Sequence, residues 1–203
     1  MPSYHHGSLP SALLEAAEVI LERDGIAALT LRAAAREAGV SHAAPAHHFG
    51  DLSGLFSELA ASGFLRLRDY AERQAADILP GSGSLLAAHS RGYIEFARAH
   101  PGLFQLMFRS ERLNWSNPSL AAAGASAFAL LSLREDAPGK SAPQDGFQDL
   151  VEAAARWSFA HGLAMLLIDG RLEAMIHEVP GTSLDALIEE LLKRLTRLDA
   201  RTL

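Results

Sequence analysis

The chain has 203 residues, of which 49% are apolar and 21% charged, with a formal net charge of −6. This composition fits a soluble globular protein of one or two domains, and the acidic balance argues against a protein that coats nucleic acid over its whole surface. The absence of cysteine excludes disulfides and thiolate metal sites. Without a membrane-length apolar run or a signal-like start, we expect a cytoplasmic protein with no membrane partner.

Helical periodicity dominates the chain from its start, and no alternating strand pattern is found. Serine and threonine caps and glycine stops predict three helices in the first fifty residues. They run from Ser8 to Gly25, from Thr30 to Gly39 and from Ser41 to Gly50. The pattern predicts an all-α fold with a three-helix head at 1–50, a connecting helix at 51–80 and a helical ligand-binding and dimerisation body at 81–203.

The head has the order of a helix-turn-helix unit, in which two short helices joined by a glycine turn follow a longer one. The second short helix enters the major groove with its N-terminal residues at the base edges, and the first turns its own N-terminus toward a phosphate. The expected DNA contacts are Thr30, Arg32, Ser41, His42, Ala43, Ala44, His47 and His48.

Residues 28–56, "ALTLRAAAREAGVSHAAPAHHFGDLSGLF", resemble the DNA-binding segment of the tetracycline-repressor (TetR) family. The shared motif includes Thr30-x-Arg32, residues 38–41 and His48-Phe49. In the body, "WSFAHG" at 157–162 and "HPGLFQLMF" at 100–108 are similar to the C-terminal subclass named for its Trp, His and Gly. The resemblance implies a homodimeric regulator, and we expect a repressor, bound to a palindromic DNA operator and responsive to a small-molecule effector.

The head departs from the family at two positions, where Ala46 and Leu52 stand in place of the usual tyrosine and lysine phosphate contacts. Residues 1–50 carry three arginines against five acidic residues, a net charge of −2 with neutral histidines. Because phosphate neutralisation supplies much of the affinity of proteins for DNA, this head has few of the cationic groups that DNA binding needs. Its five histidines can compensate for the missing cations when they are protonated beside phosphates. Operator affinity would then fall as the pH rises from about 6 to 8. The alternative is that these histidines are merely exposed or hydrogen-bonded.

Neither metal binding nor catalysis is predicted. The spacing of His42, His47 and His48 does not place them on one helical face, and no acidic residue on the same short helix completes a set. The His5-His6 pair leads to the same conclusion. Standard local signatures of hydrolases, phosphate-binding loops, zinc peptidases and dinucleotide-binding enzymes are missing. We therefore expect a protein that is not an enzyme and has no cofactor.

The helical body offers candidates for an effector pocket, because such pockets combine apolar walls with one or two polar anchors. The candidate residues are Tyr93, Phe104, Met107, Phe108, Trp157 and His161. The alternative reading makes Trp157 and His161 part of a core stripe with one hydrogen-bonded histidine.

The last helix carries the repeat Leu184, Ile188, Leu191 and Leu195, a seam for packing a helix of this chain or of a copy. Small residues at Ala160, Gly162 and Ala164 would permit close approach of a twin helix in a symmetric dimer. A dimer is needed because two recognition helices must lie about 34 Å apart to enter successive major grooves. The competing interpretation is a TetR-fold ligand-binding or interaction module that has lost specific DNA binding.

Overall fold

The computed structural model describes residues 8–78, 84–132 and 146–199, so His5 and His6 lie outside the described residues. The described ranges contain ten α-helices and one 3₁₀ turn and no strand, which confirms the all-α prediction. The helices are α1 Leu9–Asp24, α2 Leu31–Glu37, α3 Ala44–Phe49, α4 Leu52–Ala75, α5 Ser84–Ala99, α6 Pro101–Met107, α7 Pro118–Ser132, α8 Gly146–Ile168, α9 Arg171–His177 and α10 Leu184–Asp199, and the 3₁₀ turn is Ser110–Arg112.

The chain forms two compact units. The first contains the residues up to Leu65 together with His100–Gly124, and the second contains Arg66–Ala99 together with the residues from Ala125 onward. The contacts therefore group the chain differently from the predicted ranges 1–50, 51–80 and 81–203. None of the helices in the described part of the chain is long and apolar enough to cross a membrane.

The first unit is built on the apolar stripe of α1. Leu13, Ala17 and Ile20 are buried, and α2 contributes the buried Ala34 and Ala35. Alanines at the α2 positions keep these helices close, because a larger side chain would need space that the packed core lacks. From α4, the apolar side chains of Leu55, Phe56, Leu59 and Phe64 are also buried.

Two of the predicted helix starts differ in detail from the structure. Ser8 occupies the cap position of α1 but makes no capping hydrogen bond, and its hydroxyl instead lies 3.0 Å from that of Ser11. Ser41 does not cap the third helix, because α3 begins only at Ala44. Pro45 therefore occupies the first turn of α3, where its missing N–H would have had no intrahelical acceptor.

The second unit is organised around a cluster of aliphatic side chains from α5, α8, α9 and α10. The cluster consists of Ile94, Leu163, Leu167, Leu172, Ile188 and Leu192. Ion pairs of Arg91 with Glu189 and of Arg98 with Asp185 join α5 and α10 at the margin of this core. The short helix α9 was not predicted from the sequence. It follows Gly170, whose φ of +66° ends α8 in a left-handed turn.

Candidate DNA-binding site and surfaces of the helical body

The turn between α2 and α3 is fixed by local hydrogen bonds. The Thr30 hydroxyl accepts a hydrogen bond of 3.1 Å from the backbone N–H of Ala33, which confirms Thr30 as the cap of α2. The helix closes through Gly39, whose φ of +68° is accessible to glycine at little cost, and Val40 donates to the Ala35 carbonyl at 3.0 Å. These short-range bonds set the angle at which the chain enters α3.

The predicted reading segment presents a largely exposed surface. Ser41, His42 and Ala43 are exposed in the turn before α3, Ala44 is half-buried, and Pro45 is buried beneath them. From α3 itself, His47 and His48 are exposed, with their ring centroids 5.2 Å apart. The structure thus places most of the expected base-facing side chains on the surface, with Pro45 anchoring the helix from below.

Cationic groups on this head are few, and one is already engaged. Hydrogen bonds and charge interactions with Asp24, and then with Glu37, raise the pKa of Arg23 well above its ordinary value. Among the residues that the structure describes, no ion pair involves Arg32 or Arg36, and both are exposed. These two arginines are the guanidinium groups of the head that remain available for phosphates.

The two departures from the family pattern lie at accessible positions. Ala46 is exposed on α3, and Leu52 is half-buried at the first residue of α4. Beside Leu52, the Asp51 carboxylate accepts the Gly54 N–H at 2.8 Å. This acidic cap suits the positive end of α4, but it places a negative charge next to the position where the family usually carries a lysine.

Within the described part of the chain, one set of side chains has metal-ligand spacing, and it contains none of the head histidines. It consists of Glu18, Glu22 and His100. This set could not be predicted from the sequence, because His100 is distant from α1 along the chain and approaches it only in the folded protein.

Three of the candidate effector residues form a hydrogen-bonded chain in the second unit. The Trp157 indole N–H donates to the Tyr93 hydroxyl at 3.4 Å, and that hydroxyl lies 3.0 Å from Nδ1 of His161. Burial raises the pKa of Tyr93 and lowers the pKa of His161, because in both rings it disfavours the charged form. Their polar atoms satisfy one another, which is the arrangement expected of a core network.

The other three candidates lie in the first unit. Phe104 and Met107 are fully buried, and the half-buried Phe108 packs against Phe104 with ring centroids 5.0 Å apart. Phe64 contacts this group from α4, with its ring 5.6 Å from Phe108 and 6.2 Å from the exposed ring of Trp115. Sequence reasoning missed Trp115, which stands in an irregular segment without periodicity.

Several residues predicted for the dimer interface are instead core residues of the protomer. Ala160 and Ala164 are fully buried, and Ile188 and Leu195 are only 5% exposed. Helical periodicity identified an apolar face correctly but could not tell whether a helix of the same chain covers it, and here α8, α9 and α10 pack together. Of the remaining candidates, Leu184 and Leu191 are half-buried and Gly162 is exposed.

The opposite face of α8 carries an exposed apolar stripe that the sequence reading did not identify. Its large members are Phe147, Leu150, Val151 and Leu166, with exposed fractions of 64, 57, 44 and 39%. The small residues Ala154, Ser158 and Gly162 continue the stripe between them, at the three- and four-residue spacing of one helical face. A Cβ atom placed at Gly162 would meet nothing within 4 Å, so this part of the stripe is open.

Family models match both parts of the chain. Residues 13–59 match the family described as bacterial regulatory proteins, tetR family, and residues 86–191 match the tetracyclin repressor-like C-terminal domain. The chain therefore belongs to the TetR family of bacterial regulatory proteins. The matching C-terminal model does not name the Trp-His-Gly subclass, which stays a prediction.

Solved structures share the fold over almost the whole chain. A protein with unknown function from Rhodococcus sp. RHA1 is 34% identical, with a TM-score of 0.74 over 97% of this chain and 98% of that one. A TetR-like transcriptional regulator from Rhodococcus sp. RHA1 is 16% identical, with a TM-score of 0.59 over 94% of each chain. The multidrug binding protein EbrR, complexed with imidazole, is 20% identical, with a TM-score of 0.59 over 98% of this chain and 96% of that one. A search of curated proteins gives no significant match.

Proposed function

We propose that this TetR-family protein is a ligand-responsive repressor that binds a palindromic operator as a homodimer. The observation that carries the proposal is the exposed surface before and along α3, where Ser41, His42 and His47 are exposed, next to an α2 helix that Thr30 caps. Small side chains at Ala43 and Ala44 suit contact with thymine methyl groups, and the imidazoles suit base or phosphate acceptors. Thr30 and Arg32, both exposed at the start of α2, are assigned to the phosphate backbone.

The experiment is a fluorescence-anisotropy titration of the full chain on duplex DNA from upstream of its own gene. We expect preference over an unrelated duplex by about 10³-fold or more, the lower end for specific regulators. The double variant His42→Ala/His47→Ala should lose at least tenfold in affinity, whereas His177→Ala, an exposed histidine on α9, should not change it. Equal affinity for both duplexes would contradict the proposal.

For the homodimer, we assign the subunit contact to the exposed stripe of α8. Its apolar side chains would be removed from water by a twin helix related by a two-fold axis, and its small residues would allow the helices to approach closely. The half-buried Leu184 and Leu191 of α10 can add to this contact. The assignment replaces the buried pair Ala160 and Ala164.

For the effector, the six candidate residues remain proposed contacts, and each unit is tested by itself. In the first unit the accessible part of the aromatic group is Phe108 with Trp115, which suits a flat apolar ligand. In the second unit Trp157 and His161 are half-buried, and Phe128 lies next to Trp157, so this group remains reachable. Ligand-induced quenching of tryptophan fluorescence in Trp115→Phe and Trp157→Phe variants would tell which group is contacted.

The second candidate function is a TetR-fold module without specific DNA binding. The exposed Ala46, the half-buried Leu52 and the net charge of −2 in residues 1–50 favour it. It predicts weak, sequence-independent DNA binding in the titration above, with no effect of the histidine variants. That the chain is not an enzyme also stays a prediction, which turnover by the purified protein would contradict.

A further inference from the structure

We propose that Glu18, Glu22 and His100 form a binding site for a first-row divalent transition-metal ion, with Zn²⁺ as the reference ion. One ligand atom from each side chain lies within 4.8 Å of the others. The two carboxylates come from successive turns of α1, and the imidazole comes from the residue before α6, so the set exists only in the folded first unit. None of these three residues is among the proposed DNA or effector contacts.

The spacing of the carboxylates follows from the helix. Residues four apart lie on one face of α1, so Glu18 and Glu22 project side by side. With a neutral imidazole the three side chains carry a net charge of −2. The two carboxylates repel each other, and a divalent ion bound between them would neutralise their combined charge.

The Glu22 carboxylate is held in position by α6. Its two oxygens accept the backbone N–H groups of Gly102 and Leu103, each at 2.8 Å. A Cβ atom at residue 102 would stand only 3.0 Å from Oε2 of Glu22 and 2.9 Å from the Leu21 carbonyl oxygen, so glycine is what permits this approach. Each carboxylate oxygen has a second lone pair, which leaves the fixed group able to bind a metal.

The contact between His100 and Glu18 has nearly the geometry of a ligand pair. Nδ1 of His100 lies 3.6 Å from Oε1 of Glu18, and both side chains are 22% exposed. Two ligands of a tetrahedral zinc ion with bonds of ~2.1 Å stand about 3.4 Å apart, so this pair needs little movement, and the third ligand atom, from Glu22, lies within 4.8 Å of both. Glu22 is exposed, which gives an ion a route from solvent and room for a water as the fourth ligand.

The donor set selects the class of ion. One imidazole nitrogen with two carboxylates suits zinc, cobalt or nickel, whereas magnesium and calcium favour all-oxygen sets with more ligands. A bound ion would also join α1 to the start of α6 and so stabilise the folded first unit, since the assembled site is absent from the unfolded chain.

The test is a calorimetric titration of the metal-stripped full chain with Zn²⁺, in the absence of DNA. We expect binding in the micromolar range or tighter. Glu18→Gln and His100→Asn should weaken it at least about tenfold, because even loss of an outer partner of a metal ligand costs 10- to 100-fold. Glu15→Gln on the exposed side of α1 and His177→Asn on α9 are the matched controls and should leave it within twofold.

Two further measurements keep the result interpretable. Circular dichroism of the metal-free variants checks that they fold, and Zn²⁺ should raise the thermal midpoint of the native chain and of both controls but not of the site variants. Co²⁺ should give the visible absorption of a nitrogen- and oxygen-ligated site. Absence of Zn²⁺ binding, equal binding by the site variants, or binding of Mg²⁺ with the same affinity would each overturn the proposal. None of these readouts depends on DNA binding, so the proposed function is tested independently.

Discussion

Helices α3 and α8 both expose one face, but the two faces differ in chemistry. The six residues of α3 expose His47 and His48 over a buried proline, whereas the 23 residues of α8 expose large apolar side chains opposite its buried face. Exposed imidazoles can exchange their bound water for the hydrogen-bond acceptors of bases or phosphates, so the face of α3 suits a nucleic acid. A row of large exposed apolar side chains on one helical face suits another protein chain, which would remove them from water.

The largest effect is expected from charging the exposed stripe of α8. In the variant Leu150→Asp/Val151→Asp, each replaced side chain would forfeit about 1.5–3 kcal/mol of apolar burial, which weakens association by at least about 100-fold. Sedimentation equilibrium should show a dimer for the native chain and a monomer for the variant. The control Met175→Asp/Val179→Asp changes two exposed apolar residues elsewhere and should remain dimeric. A dimer that persists in the α8 variant would place the subunit contact on another surface.

The contributions of the two faces of α8 to stability can be distinguished by truncating one leucine on each face. Leu163 is 6% exposed in the aliphatic core, and Leu166 is 39% exposed on the stripe. Both substitutions are made in the monomeric Leu150→Asp/Val151→Asp variant and measured by urea unfolding. There, Leu163→Ala should lower the free energy of unfolding by about 2–5 kcal/mol. Leu166→Ala should change it by no more than about 0.5 kcal/mol. Equal losses would mean that the faces are not divided as described.

The same contrast shows what could be predicted from the sequence. In the head, the Thr30 cap and the Gly25, Gly39 and Gly50 stops act within a few residues, so local chemistry predicts them. In the body, the apolar face of α10 was recognised, but its partner is chosen by tertiary packing. Periodicity marks a face for burial without saying which chain buries it, so it could not show that Ala160 and Ala164 are covered within the protomer.

The candidate sites divide in the same way. Ser41, His42, Ala43, His47 and His48 lie close together along the chain, so their shared exposure could be expected from a helix-turn-helix pattern. The contacts of Tyr93 with Trp157 and His161, and of His100 with Glu18, join residues far apart in the sequence. A single sequence carries no information on such pairs until the fold brings them together.

A moderate effect is expected from restoring the phosphate contacts that the family usually has. Leu52→Lys should raise operator affinity about fivefold to tenfold, or roughly 1–1.4 kcal/mol. It should also steepen the dependence of log affinity on log salt by about 0.9, the value for one added phosphate contact. Ala46→Tyr should add a smaller gain without a change of slope. Leu9→Lys introduces the same charge on the exposed surface of α1 and serves as the control. If Leu9→Lys raises operator affinity as much as Leu52→Lys does, the gain comes from net charge and not from a phosphate contact at residue 52.

The smallest effect is expected from pH, and it tests whether the exposed imidazoles of the head face phosphates. Free imidazole titrates near pH ~6.5, and a neighbouring phosphate favours its charged form, so DNA binding would take up protons. By linkage, affinity is then highest below this range and falls as the pH rises from about 6 to 8. Each imidazole whose pKa rises by about half a unit on binding contributes at most about threefold.

Anisotropy titrations at constant ionic strength across this range measure the slope. His42→Gln and His47→Gln should each flatten it, whereas His177→Gln should leave it unchanged. His161 acts in a different way, because burial lowers the pKa of that ring in the folded chain. The contribution of His161 to the free energy of unfolding is present above the pKa that this ring has in the unfolded chain, ~6.5. It is lost as the pH falls below that value. Thermal midpoints measured without DNA therefore separate a loss of stability at acid pH from the opposite trend expected for operator binding. An operator affinity that does not change with pH would leave these head imidazoles as hydrated surface groups.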